Sequence, residues 1–286
     1  MKHVGIIPNL LKDIDLEITR TIAAWLVKEN FSVYAADHIV KQVDIIPFSV
    51  DEEEIYKLCD IVIAIGGDGT ILSVAEKACL VDVPIVGVNL GRLGFLADIE
   101  PFDIEPCLKK LLKEDYHIQE RMMLKAKIID PNGQEHIFHA LNDVNITRGS
   151  FPRIAEFEIL INGEFGDVYP ADGIIVSSPT GSTAYNLSAG GPIVVPHAKA
   201  YIVTPICPHT IYSRSIIVAA EDIIQIKICN DGHINMELSV DGKVKMHLTP
   251  NHFIQIEKSS YVTRLVKLSE LKFFEILRKK IVERRR

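Results

Sequence analysis

Apolar residues follow two patterns along the chain, and the change between them falls near residue 116. Before it, unbroken apolar runs alternate with stretches of helical spacing: HVGIIP, DIDLEITRTIAAWLVKEN, FSVYAAD, EEEIYKLC, DIVIAIG, TILSVAEKACL, PIVGVNL and DIEPCLKKLLKEDY. Apolar runs without alternation read as strands covered on both faces, and strands alternating with helices predict a parallel sheet with crossover helices. From about residue 118 the helical period almost disappears. RMMLKAKIID, EHIFHALNDVNITR, RIAEFEILIN, SIIVAAEDIIQIKICN, INMELSV and KVKMHLT read as strands, punctuated by Asn132-Gly133, Asn162-Gly163, Asp231-Gly232 and Asp241-Gly242 as turns. The pattern predicts an α/β domain over residues 1–116 and an all-β domain over 117–262. A last segment, 263–286, is predicted helical, with Phe273, Phe274 and Leu277 packing back on the first domain.

Composition narrows the function classes. Among 286 residues, 48% are hydrophobic and 24% charged, which is ordinary for a globular chain with a sizeable core. A formal charge of -7 argues against general electrostatic attachment to nucleic acid or an anionic membrane and favours a small ligand. The basic end RKKIVERRR also suits a helix C-terminus, where cations favour the dipole. Five cysteines, none in a C-x-x-C pair, indicate neither a disulfide framework nor a zinc knuckle and suit a reducing cytoplasm. The opening MKHVGIIPNLLKDIDLE has too short an apolar run for a secretory signal, and no later stretch reaches membrane-spanning length without charges.

Two stretches carry candidate chemistry. In IVIAIGGDGT (61–70), the run Ile61 to Ile65 reads as a central strand and the residues after Thr70 as a helix. A tight turn is the plain reading of Asp-Gly. Here, however, the glycines join a buried strand to a helix, at the carboxyl end of a strand, where open α/β sheets place ligands and helix amides favour an anion. Gly66, Gly67 and Gly69 let backbone amides approach a phosphate closely. Neither G-x-x-x-x-G-K-[ST] nor G-x-G-x-x-G is present. Asp68 would be repelled by a polyphosphate unless it holds Mg²⁺ or accepts a proton from an attacking hydroxyl, so it points to phosphoryl transfer. The second stretch, ADGIIVSSPTGSTAYNLSAGGPIV (171–194), sets a strand, a hydroxyl-rich loop and a short helix in series. Thr180, Ser182 and Thr183 can serve as helix caps, but the polar detail exceeds what a cap requires. A serine-hydrolase elbow is excluded, because G-x-S-x-G does not occur there.

GGDGT, GRLGFL (91–96), ND (142–143), DGIIVSSPTGSTAYNLSAGGPI and TPICPHT (204–210), in this order, closely resemble the NAD kinase family, bacterial type, over nearly the whole chain. GGDGT alone is shared with diacylglycerol and sphingosine kinase-like proteins; the PTGSTAY stretch and its SAGGP continuation are specific to NAD kinases. The resemblance implies a cleft between an N-terminal α/β domain and a C-terminal β-rich domain, where ATP phosphorylates the adenosine ribose 2′-hydroxyl of NAD. It implies Asp68 as proton acceptor, with Gly66, Gly67, Gly69 and Thr70 lining the ATP phosphates. Asp68, Gly69, Asn142, Asp143, Arg153, Asp172, Thr183, Ala184, Tyr185, Asn186, Leu187 and Ser188 would contact NAD, with Tyr185 offering a ring face. Mg²⁺ or another divalent cation would accompany ATP, with no metal site of the protein's own. A homodimer or homotetramer in the cytoplasm is implied, without nucleic acid or membrane as partner.

Arg92, Cys207 and His209 are read as surface or fold residues. Relatives often carry Gln where this chain has Lys243, so no contact is assigned there. Two alternatives stand beside NAD phosphorylation. One is a lipid or small-alcohol kinase using the same loop, and the other is a non-catalytic dinucleotide sensor, which would have no need of Asp68.

Overall fold

All six residues of the strand Ile61–Gly66 are buried, as its unbroken apolar run requires. The computed structural model describes residues 3–91, 94–149, 154–229, 236–268 and 272–283. The chain divides into two units, one comprising residues 1–120 with 263–286 and the other 121–262.

The first unit runs β1 (His3–Pro8), α1 (Glu17–Lys28), β2 (Ser32–Ala36), α2 (Asp37–Val40), β3 (Phe48–Val50), α3 (Glu52–Leu58), β4 (Ile61–Gly66), α4 (Asp68–Ala78), β5 (Ile85–Asn89) and α5 (Ile104–Leu112). The strands are parallel in the order β3-β2-β1-β4-β5. From β1 the chain winds outward through β2 and β3, then returns to the other side of β1 with β4. That reversal is a topological switch point, and it opens a crevice beyond the carboxyl ends of β1 and β4. On one face, Val4, Ile6, Ile63 and Ile65 pack with Ile22, Leu26, Leu108 and Leu111 of the helices. The start of α1 is tied by Asp13, whose carboxylate accepts bonds from the Ile18 and Thr19 amides and the Thr19 hydroxyl.

The second unit is built almost wholly of antiparallel strands. They are β6 (His117–Ile129), β7 (Glu135–Ala140), β8 (Asp143–Arg148), β9 (Ala155–Ile161), β10 (Glu164–Ala171), β11 (Gly173–Ser177), and, after the one-turn α6 (Tyr185–Ser188), β12 (Ala200–Ile206), β13 (Ile216–Ala219), β14 (Ile224–Ile228), β15 (Met236–Val240), β16 (Lys243–Leu248) and β17 (Phe253–Lys267). One sheet has the order β13-β12-β11-β8-β15-β16, and a second layer contains β10-β9-β14 and the first part of β17. Their apolar faces meet in one core, with Val144, Ile146, Val176 and Val203 against Phe157, Ile159, Ile226 and Ile256. Asn162 and Gly163 take φ of 53° and 82°, the left-handed pair of a two-residue hairpin, joining β9 to β10.

The α/β-plus-β architecture agrees with the sequence pattern, while several elements differ. EHIFHALNDVNITR is two strands broken at residues 141–142, because the Leu141, Asn142 and Asp143 amides turn to the Asp241 carboxylate. The strand β17 escapes the pattern because Lys258, Ser259 and Ser260 interrupt its apolar positions. Ser259 is nonetheless buried, bonded to His139 and to the Tyr261 amide. The final helix, α7 (Phe273–Glu283), sets Phe273 against Phe95 at 5.8 Å between ring centroids and buries Ile276. Phe274, expected to pack inward, is 60% exposed, because helical phase turns it away from the Phe273 and Ile276 face. The Asp231-Gly232 turn lies outside the described residues. Among those residues no helix is long and apolar enough to cross a membrane, and none of the five cysteines forms a disulfide.

Candidate functional site

In the first unit, the GGDGT residues stand at the carboxyl end of β4, beside the switch point. A side chain at Gly66 would place its Cβ 2.3 Å from Thr70 Oγ1, so the loop closes on Thr70 only because residue 66 has none. Helix α4 begins immediately after Gly67, so the loop stands at a helix N-terminus, where an anion is favoured. Gly69 is exposed and open around its Cα, whereas Thr70 is buried and its hydroxyl accepts a bond from Asn9 Nδ2 at 3.2 Å. That bond leaves the Thr70 proton free to donate. A shallow pocket here is lined by Pro8, Asn9, Tyr56, Gly69, Thr70 and Ser73.

Asp68 is held by backbone. Its Oδ2 accepts the Phe95 amide at 2.8 Å, and its Oδ1 accepts Leu96 and Ala97 at 3.0 and 3.2 Å. Three amides fix the carboxylate's direction and still leave Oδ2 a lone pair. Gly94 makes the approach possible, since a Cβ there would lie 2.0 Å from Oδ1. Phe95 is buttressed in turn by Phe273 and by Lys280, whose Nζ lies 4.4 Å from the ring centroid.

Two polar residues at this crevice were not found by sequence reasoning: Asn9, and Lys12, whose ammonium donates to Gly66 O at 3.3 Å. Both belong to the loop after β1. Only the strand order brings that loop beside β4, and no local motif announces it.

In the second unit, the ND pair and the PTGST stretch form one knit cluster. Ser178 donates its amide to Asn142 O at 2.8 Å and its hydroxyl to Leu141 O at 2.5 Å. A Cβ at Gly181 would sit 2.1 Å from Asn142 O, so this contact of two backbones requires glycine. Asp241, which the sequence marks only as a turn residue, spans Leu141, Asn142 and Asp143 with one carboxylate, at 2.8, 2.7 and 3.1 Å.

Following this cluster, Thr183 is buried, Ala184 and Leu187 are half-buried, and Tyr185 and Ser188 are exposed. Asn186 was expected among the NAD contacts of this segment. Fully buried, it donates to Ser182 O and Pro192 O and accepts from Thr204, so its side chain is consumed in fastening the segment. Asp172 pairs with Arg148 at 2.8 Å. Arg153 lies outside the described residues.

Asp143 is 3% exposed, and its carboxylate accepts Asn145 Nδ2 at 2.8 Å. Burial, reinforced by the Asp241 charge, pushes its carboxyl up to about 7. The native state therefore holds a proton that the unfolded chain releases near pH 4. The stability contributed by this group is complete below about pH 4 and declines as pH rises to about 7. Asp143→Asn cannot ionise, so the stability difference between variant and parent should move in the variant's favour over that window, by up to about 4 kcal/mol. Urea unfolding of both proteins from pH 4 to pH 8 checks this; a difference independent of pH would show that Asp143 is ionised throughout.

Comparison with known proteins bears on both units. Residues 4–116 match the model of the ATP-NAD kinase N-terminal domain, and residues 141–268 that of the ATP-NAD kinase C-terminal domain. The chain belongs to the NAD kinase family. The NAD kinase of Caldanaerobacter subterraneus subsp. tengcongensis is 43% identical over 284 residues, covering 99% of this chain and 100% of that protein. The NAD kinase of Heliobacterium modesticaldum is 38% identical over 285 residues, with full coverage of both. Among solved structures, yeast NADH kinase complexed with NADH superposes with a TM-score of 0.89 at 25% identity, covering 98% of this chain and 87% of that one. An NAD kinase from Archaeoglobus fulgidus in complex with ATP gives 0.73, also at 25% identity, and covers 98% of each chain. Both solved neighbours, one an NADH kinase and one an NAD kinase, share the two-domain fold of this chain. No comparison favours a lipid kinase or a non-catalytic sensor.

Proposed function

We propose that this chain transfers the γ-phosphoryl group of ATP to the adenosine ribose 2′-hydroxyl of NAD, giving NADP and ADP. The observation that carries this reading is the match of both halves of the chain to the NAD kinase domains. The phosphate loop at the switch point supports it.

In this reading the first unit supplies the donor's phosphate loop, with Gly66, Gly67, Gly69 and Thr70, and the second supplies NAD contacts. Those come from Asn142, Asp143, Arg153, Asp172 and the segment from Thr183 to Ser188, with Asn186 entering through its backbone. The 2′-oxygen attacks the γ-phosphorus, the bond from that phosphorus to the β,γ-bridging oxygen breaks, and ADP leaves. The hydroxyl proton passes to Oδ2 of Asp68. Little basicity is needed, because with a loose transition state the proton departs late.

A divalent cation fits the donor set only as a companion of ATP. Among the described residues no group of three or more His, Cys, Asp or Glu side chains could hold a metal. Mg²⁺ commonly keeps several waters and binds through substrate phosphates, which would leave the remaining lone pair of Asp68 Oδ2 to the proton. When bound, the ion would neutralise phosphate charge. A homo-oligomer working in the cytoplasm completes the reading, in keeping with the family resemblance.

The test is product identification. Purified protein with ATP and Mg²⁺ should phosphorylate NAD and leave diacylglycerol and sphingosine untouched, while NAD lacking the adenosine 2′-hydroxyl should bind and receive no phosphate. Phosphorylation of that analogue would place the transfer on another hydroxyl.

A further inference from the structure

We propose that Lys12 is a catalytic residue of this reaction, its ammonium binding the donor's polyphosphate and stabilising the charge that gathers on it during transfer. The proposal rests on the reading of the chain as an ATP-dependent NAD kinase, and three observations support it.

The first is topology. Lys12 lies on the loop that follows β1, and Asp68 on the turn that follows β4. With strands ordered β3-β2-β1-β4-β5, these two loops flank the switch-point crevice, where α/β sheets place their ligands. Sequence separation hides this, because the loops stand more than fifty residues apart.

The second is the position of the ammonium. Nζ donates to Gly66 O at 3.3 Å and lies 2.7 Å from where a Cβ on Gly67 would be. The absent side chain at Gly67 is thus the space the cation occupies. It also stands 3.9 Å from the corresponding point on Gly91. A cation is therefore held against the backbone of the phosphate loop itself.

The third is how lightly it is held. Gly66 O already accepts the Leu90 amide at 2.9 Å, so the longer bond from Lys12 is not needed to satisfy that carbonyl. An ammonium has three donors, and this bond engages one of them. Lys12 is exposed, and its own amide bonds Asn9 O at 3.0 Å, so the backbone of its loop is secured without the side chain. In a chain of net charge -7, with Asp13, Asp15 and Glu17 close by in sequence, a polyphosphate needs such a cation. Asn9 completes the arrangement by donating to the Thr70 hydroxyl at 3.2 Å, which leaves that hydroxyl a proton to give.

The experiment compares the parent with Lys12→Met and Lys12→Arg. At saturating NAD, Lys12→Met is expected to lose about 10²–10³-fold in kcat/KM for ATP, the scale for removing one donor to developing charge. The KM for NAD and the Tm should stay at parental values, and Lys12→Arg should recover part of the rate by keeping the charge. Inorganic tripolyphosphate, titrated by calorimetry, should bind the parent and bind Lys12→Met at least tenfold more weakly, a change that a merely structural lysine would not produce. Parental kcat/KM for ATP in Lys12→Met, or undiminished tripolyphosphate affinity, overturns the assignment. A parent that fails to phosphorylate NAD would refute the kinase reading instead, and the tripolyphosphate titration would still decide whether Lys12 binds phosphate.

Discussion

Asp68→Asn is expected to lower kcat by about 10²–10⁴-fold, the range for losing a general base. The loss should appear equally in kcat and in kcat/KM for NAD, the mark of an interaction made in the transition state. The hydrogen bonds of Asp68 add a second consequence. A carboxylate can accept all three amides of residues 95–97, whereas an asparagine must turn its NH₂ toward at least one of them. If Oδ1 keeps Leu96 and Ala97, the new amide group meets the Phe95 N–H, donor against donor. The variant should therefore also melt earlier, with the stretch 94–97 exchanging its amide hydrogens faster than in the parent. Steady-state kinetics, a thermal melt and hydrogen exchange separate the two effects. A variant with near-parental kcat would remove Asp68 from the proton-acceptor role, and a raised KM with unchanged kcat would make it a binding residue.

The legible parts of this chain were those in which one segment carries its own signal. Ile61 to Gly66 followed by Asp68 to Ala78 reads as buried strand, turn and helix without outside help, and the structure has those elements. Likewise the shift from helical to strand-like periodicity marks the second unit. What stayed hidden depends on pairs far apart in sequence. Lys12 gains meaning only when β1 and β4 are neighbours, and Gly94 only when its loop lies on Asp68. The sequence could not show that the Asn186 side chain is buried, because Thr204, Ser182 and Pro192 set that burial. Strand β17 was missed for a related reason: Ser259 breaks the apolar alternation, and only its partner His139, from β7, makes it acceptable inside.

Asp241 was visible as half of an Asp-Gly turn, and the structure gives it a larger task. It occupies the turn between β15 and β16 with φ of 48°, while its carboxylate binds the amides of Leu141, Asn142 and Asp143. Asp241→Ala leaves those amides without their acceptor. Hydrogen bonds to a charged group are each worth about 1.5–3 kcal/mol, but Asp241 is half-buried and water can reclaim part of the loss. A destabilisation of about 2–4 kcal/mol is therefore expected, seen as a lower urea midpoint with an unchanged slope. NAD affinity should fall as well, since Asn142 and Asp143 lose the anchor that sets their direction. The same substitution removes the like charge that helps hold the Asp143 carboxyl up at about 7. Its proton should then leave at lower pH, although burial, the larger cause, remains. Asp241→Ala should thus shift the pH window of the Asp143 contribution downward, while Asp241→Asn, which retains one acceptor oxygen, should lose less stability. Urea midpoints measured across pH 4 to 8, beside calorimetric NAD binding, test both consequences. Parental midpoints and parental affinity in Asp241→Ala would show that the ND segment keeps its conformation without this anchor.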